Sequence, residues 1–217
     1  FRDITEITSI SFPEKVTALY GDVLYGCSSL VSVEMRGNVT LISKGAFQLC
    51  ISLEKIELPK TVTVMDESIF ANCYCLKSIV LPPNLTYISN YVFHKCYCLS
   101  NVTLPDTIEY IYDEVFYNCR SLEIINFPES LTYFGRKSFE NCYVLTSVYI
   151  PEKVTIIHNN AFRCCYSVTN FTMVGSKTIK KDIRDHAFYG FYLQTSLTIP
   201  EGVTSISRYS FELWINL

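Results

Sequence analysis

Long apolar runs are missing from this chain. None approaches the ~18 residues that a membrane-spanning helix needs, so no membrane insertion is expected within this segment, although 49% of its residues are apolar. Charge is scarce as well, at 18% of residues, with a net value of −3 and both signs scattered. A protein that neutralises many phosphates carries a basic footprint, and its absence makes nucleic acid an unexpected partner. The eight glycines form no phosphate-cradling loop. Three histidines, His94, His158 and His186, stand in different positions of different sequence units and read as surface side chains. With no nucleophile beside a base, the chain reads as a non-enzyme without a cofactor. Its first residues, Phe1-Arg2-Asp3-Ile4-Thr5, lack the basic and apolar regions of a secretory signal.

What is present is a period. Phe1, Leu24, Phe47, Phe70, Phe93, Phe116, Phe139 and Phe162 follow one another at 23-residue intervals, then Phe188 after 26 and Phe211 after 23. Such a spacing marks a stack of like units, each burying its apolar face on its neighbours. One continuous solenoid over residues 1–217 is expected, with an irregular 26-residue unit at 173–198. Phe1 falls in the middle of a unit and Leu217 on a core slot, so the segment is expected to come from a longer protein with capping ends.

Counting slots from Leu58 exposes the rest of the pattern. Slot 2 is proline in seven units, slot 5 is Val, Leu or Ile from Val16 through Val154, and slot 8 is apolar throughout. Slot 16 holds Cys27, Cys50, Cys73, Cys96, Cys119, Cys142 and Cys165 in succession. Slots 22 and 1, two apart as in Ile79 and Leu81, suit a strand whose alternate side chains face inward, ended by a proline corner. Slots 5 to 8 read as a second extended piece. Slots 13, 16 and 19, three apart as in Phe70, Cys73 and Leu76, suggest a short 3-10 or α turn on the core. The core columns are therefore Phe47, Phe70, Phe93, Phe116, Phe139 and Phe162, with Cys50, Cys73, Cys96, Cys119, Cys142 and Cys165 beside them.

The pattern L-P-x-x-[VL]-T-x-I-x-x-x-x-F-x-x-C-x-x-L-x-x-I is plain in Leu81–Thr103 and Ile150–Thr172. It resembles the BspA-type, or Treponema pallidum-type, leucine-rich repeat. The resemblance implies an α/β fold: a right-handed solenoid with a parallel sheet on its concave face. It also implies a cell-surface or secreted adhesion protein that contacts host or neighbouring-cell proteins. An intracellular scaffold for signalling or cytoskeletal partners is the alternative, which unpaired thiols would favour.

Candidate binding residues come from outward slots. Slots 21 and 23 flank the inward slot 22 and present Asn101, Thr103, Asn126, Ser147 and Tyr149 on a shallow, nearly uncharged face able to meet a protein or a glycan. Slot 7 presents Tyr87, Tyr110 and Tyr133, and slot 17 presents Tyr74, Tyr97, Tyr143, Tyr166 and Tyr192. Tyrosine is enriched at binding surfaces, yet aromatic ladders also stabilise sheets. The slot-16 cysteines read as a buried thiol column, since free cysteine behaves as a small hydrophobe. Cys73-x-Cys75 and Cys96-x-Cys98 do not read as zinc ligands, because residues two apart on a turn diverge. The stretch Gly175–Asp182, with three extra residues and no slot-2 proline, is expected to form a bulged, locally basic coil.

Overall fold

The structure, a computed structural model, describes residues 1–216, and Leu217 with its assigned core slot lies outside the described residues. Fifteen short strands run along them: β1 (Ser9–Phe12), β2 (Ala18–Leu19), β3 (Ser32–Met35), β4 (Leu41–Ile42), β5 (Val64–Met65), β6 (Ser78–Val80), β7 (Tyr87–Ile88) and β8 (Asn101–Thr103). There follow β9 (Tyr110–Ile111), β10 (Tyr133–Phe134), β11 (Ser147–Ile150), β12 (Ile156–Ile157), β13 (Asn170–Met173), β14 (Lys181–Ile183) and β15 (Val203–Ile206). Every strand pair is parallel, and most registers join residues 23 apart, as in Tyr87 with Tyr110 and Ile79 with Val102. Coils of one length thus stack into a parallel β-solenoid.

The longest ladders are not where the spacing puts the main sheet. Slots 7 and 8 form a six-stranded sheet, β7-β9-β10-β12-β14-β15, and a three-stranded one, β2-β4-β5. The face of slots 21 to 23 is divided into the pairs β1-β3, β6-β8 and β11-β13, with one further bridge between Lys55 and Ser78. Among the described residues, the segment 124–127 pairs with neither neighbouring coil. Its coil carries two rings, Phe127 and Phe134, in core slots that hold aliphatic residues in the coils on either side. Phe127 packs edge-on against Phe134, Phe139 and Phe162 with centroids 4.9, 5.4 and 6.2 Å away. The two rings add volume to a close-packed core at that corner.

The expected 3-10 or α turn is also corrected, for the described residues contain no helix. Each coil has two residues at positive φ, in slots 11 and 15, such as Ser68 (61°) with Asn72 (62°) and Glu114 (54°) with Asn118 (61°). A right-handed helix cannot pass through such residues. The N–H groups of Ser68, Phe70 and Asn72 instead donate to Asn90, Val92 and His94 of the next coil at 2.8–3.0 Å. Those of Ala71 and Cys73 close turns onto Ser68 and Phe70 at 3.1 and 3.0 Å. Alternate amides therefore bind within the coil and between coils, whereas a helix would keep all of them to itself.

Inside, the phenylalanines stack in one column, from Phe47–Phe70 at 5.4 Å to Phe188–Phe211 at 5.4 Å, with planes within 23° of parallel. The seven slot-16 cysteines are fully buried and free. Their thiols do more than fill space. Cys50, Cys73, Cys96, Cys119, Cys142 and Cys165 each donate to the carbonyl of the slot-13 residue in the coil before, at 3.1–3.3 Å. Trp214, in the same slot of the last unit, donates through Nε1 to the Phe188 carbonyl at 2.9 Å.

The irregular unit bulges at Lys181/Asp182, where β14 slips against β15. It is not uniformly a basic surface. Lys181 is fully buried, and its ammonium donates to the carbonyls of Pro151, Glu152 and Val154. Lys177 and Lys180 remain exposed.

Burial pushes the Cys50 thiol from its ordinary 9.0 up to about 12, with the Cys27 thiol adding to the rise. The unfolded chain sheds that proton near 9.0, while the folded chain keeps it. The stability this thiol carries is whole below pH 9.0 and is lost as the pH rises toward about 12. Thermal unfolding followed above pH 9.0 should show a falling Tm, with a shallower slope in Cys50→Val. Equal slopes in the two proteins would contradict a buried, proton-retaining column.

Candidate functional site

Asn101 and Thr103 extend from β8 with Val102 buried between them, so the pleat sends both outward. They form the wall shared by two clefts. One, of about 680 Å³, runs over β6 and includes Lys55, Glu57, Ser78 and Val80. The other, of about 520 Å³, lies between β8 and the unpaired segment and includes Ser100, Glu123, Ile124 and Asn126. Val80 and Ile124 are apolar yet 66% and 53% exposed. Neither was singled out from the sequence, although a β-branched apolar residue in an outward slot was a visible signal. Ser147 and Tyr149, on β11, are half-buried, and Tyr149 donates its hydroxyl to Glu129 Oε1 at 3.0 Å. Burial, then that bond, raises the Tyr149 pKa.

Tyr87, Tyr110 and Tyr133 belong to the other sheet. They cluster with Tyr112, from slot 9: centroids lie 6.0 Å apart for Tyr87–Tyr112, 5.9 Å for Tyr110–Tyr112 and 6.0 Å for Tyr112–Tyr133. His158 closes the group edge-on to Tyr133 at 6.2 Å. The eight candidate residues are therefore split between two sheets and do not converge. Tyr110 is 37% exposed while Tyr87 and Tyr133 are half-buried, so this ladder is partly committed to its own packing.

A third row lies along slot 17. Tyr74 stacks on Tyr97 at 5.0 Å, Arg120 places its guanidinium 4.7 Å from Tyr97 and 5.9 Å from Tyr143, and Tyr143, Tyr166 and Tyr192 continue at 5.7 and 5.0 Å. Ring faces are spent on one another here, through stacking and cation–π attraction. What the row offers outward is ring edges and hydroxyls.

His94 is not the free surface side chain its slot suggested. Its ring stacks on Tyr117 at 4.9 Å, and its side chain is only 18% exposed. Glu114 Oε2 stands 3.3 Å from Nδ1, but that nitrogen has no hydrogen-bond partner. The two groups are not an ion pair: burial holds the imidazole down and the carboxyl up, each toward its neutral form. Elsewhere, the described residues contain no cluster of three or more His, Cys, Asp or Glu side chains able to hold a metal ion. An apolar cavity of about 670 Å³, lined by Phe1, Ile7, Ile10 and Phe12, is the bare repeat surface of the first coil, with no convergent polar groups.

Stacked coils with in-register parallel ladders and inward Phe and Cys columns define a leucine-rich-repeat solenoid. The BspA type leucine rich repeat region matches residues 1–111 and 86–217, in six copies, and the chain belongs to that family. The fold is similar to a leucine rich cell surface protein from Faecalibacterium prausnitzii, at 23% identity and TM-score 0.60, covering 97% of this chain and 72% of that one. It is also similar to the T. pallidum leucine rich repeat protein, at 25% identity and TM-score 0.60, covering 86% and 77%. A leucine-rich repeat protein from Bacteroides ovatus matches at 20% identity and TM-score 0.56, covering 100% and 79%. No curated protein sequence matches the chain. No helix among the described residues is long and apolar enough to cross a membrane.

The His94 environment sets a dependence on acid. Burial first, then Lys95 and Lys137, lowers its pKa from 6.5 to about 4. The unfolded chain takes up this proton below 6.5 and the folded chain does not, so stability present above pH 6.5 is lost as the pH falls toward about 4. Tm measured down this range should drop less steeply in His94→Gln than in the unaltered protein. An unchanged slope would remove His94 from the acid response.

Proposed function

We propose that the chain is a non-enzymatic binding module, a segment of a cell-surface adhesion protein that grips host or neighbouring-cell proteins through the Asn101–Tyr149 face. The observation that carries this reading is the parted corner at 124–127. There a polar cleft, with backbone amides and carbonyls free of strand pairing, is lined by the exposed apolar Ile124, and Val80 is exposed in the cleft across the Asn101–Thr103 strand. Apolar contacts beside unspent hydrogen-bonding groups are what a protein surface needs in a partner. The face is nearly neutral, which suits a protein or glycan better than a polyanion. The Faecalibacterium relative is described as a cell surface protein, which supports the same placement. Ten free cysteines favour the second reading, an intracellular scaffold using the same face.

The test is a double substitution, Asn126→Ala with Tyr149→Ala, assayed against immobilised matrix proteins and glycans. Binding should weaken at least about tenfold, roughly 1.4 kcal/mol, with thermal unfolding nearly unchanged. Unaltered binding would move the contact to the tyrosine cluster. Retention on glycans alone would overturn the protein-binding reading.

A further inference from the structure

Seven of the ten cysteines lie in the buried slot-16 column, and Cys164 is buried as well. The other two stand apart from these and together. Cys75 is half-buried and Cys98 exposed, and both occupy slot 18 of consecutive coils, 23 residues apart (98 − 75). The Cys98 N–H donates at 3.1 Å to the Tyr74 carbonyl, the oxygen of the peptide that joins Tyr74 to Cys75. Their neighbours Tyr74 and Tyr97 stack with centroids 5.0 Å apart and planes 14° from parallel, so the two coils run side by side at this point. Backbones joined by such an inter-coil bond lie roughly 5 Å apart, within the roughly 4.4–6.8 Å between α-carbons that a disulfide spans.

Both sulfurs also share one neighbour. Lys77 binds Glu54 at 2.7 Å, and its pKa is held up first by that bond and in smaller part by the fields of Cys75 and Cys98. The buried thiols are each fixed on a carbonyl with in-register, parallel side chains, which rarely give the ~90° torsion a disulfide needs. Cys75 and Cys98 lie outside the packed column, and no carbonyl holds either sulfur, so both can turn toward each other.

We propose that Cys75 and Cys98 form an oxidation site, a disulfide that staples two adjacent coils while the buried thiol column stays reduced. The oxidant is a low-molecular-weight disulfide such as glutathione disulfide. The exposed Cys98 attacks it as thiolate, releasing one glutathione thiol and leaving a mixed disulfide. Cys75 then displaces the second glutathione. Two protein thiols are oxidised, one glutathione disulfide is reduced to two thiols, and two protons are released or passed to the leaving thiolates. The bond closes a loop of one coil on the slot-18 side and fixes the spacing of the two coils that carry β6 and β8. This inference is independent of the ligand-binding reading, because its readout is thiols.

The experiment exposes the reduced, folded chain to glutathione disulfide, alkylates after denaturation and measures intact and peptide masses. Eight alkylated cysteines and a peptide joining Cys75 to Cys98 are expected, against ten before oxidation. Cys75→Ser should instead hold Cys98 as a stable mixed disulfide with glutathione. Cys98→Ser supplies the reciprocal check, and unchanged thermal unfolding shows that either variant still folds. Ten alkylated cysteines after oxidation, a bond to any other cysteine, or loss of two thiols in Cys75→Ser would overturn the proposal.

Discussion

Each coil hands half of its turn amides to the next coil, and that exchange is the constraint on which the rest of the molecule depends. The N–H groups of slots 11, 13 and 15 reach carbonyls 22 residues on, while the amides between them close turns locally. The pattern works only if successive coils have the same shape at about the same rise. It also needs a positive φ twice per coil, and residues as unsuited to it as Tyr91, Glu114 and Lys137 adopt it. A non-glycine residue in that region costs of order 1 kcal/mol or more. Stacked rings and buried thiol bonds, repeated in every coil, are what offset it.

Much of this was legible because identity repeats. A column of phenylalanine and one of cysteine announce themselves at a fixed interval, and the inward sense of slots 5, 8, 19 and 22 follows from their apolarity, broken only in the irregular unit by Lys180 and Gln194. The turn did not, since a three-residue spacing fits both a helical turn and linked β-turns. Asn72, Asn118 and Asn141, with Gly26 and Gly190, share slot 15 and hinted at left-handed backbone there. Slot 11 gave a weaker hint, in Asp22, Gly45 and Asn160, while Tyr91, Glu114 and Lys137 in the same slot have no such local preference.

Features that occur once were the hardest to read. Phe127 fills slot 1 like any other apolar residue, and only the folded chain shows its edge-on packing against Phe134 and Phe139. Lys181 falls in the alignment on slot 6, an outward position. The bulge at Lys181/Asp182 shifts the register, and a one-residue slip turns a strand side chain to the opposite face. The ammonium then replaces an aliphatic residue and serves three carbonyls at the proline corner of the coil before. Removing a charge from water is costly unless such partners are supplied, and its lowered pKa records that strain on the charged form.

These departures bear on recognition more than the repeats do. A surface built of identical coils presents the same few groups every 5 Å or so, and nothing along it says where a partner should stop. The ladder is interrupted between Ser32–Met35 and the Lys55 coil as well as at 124–127, and the two clefts meet on the ridge of Asn101 and Thr103 directly before the latter gap. Ile124, turned outward beside it, is apolar where most of its row is polar. A ligand that uses the opened backbone together with Ile124 would be held in one register, whereas one that uses only hydroxyls and amides could slide by a coil. The unpaired segment together with the outward Ile124 and the Asn101–Thr103 ridge thus distinguishes this coil from the others on the same face.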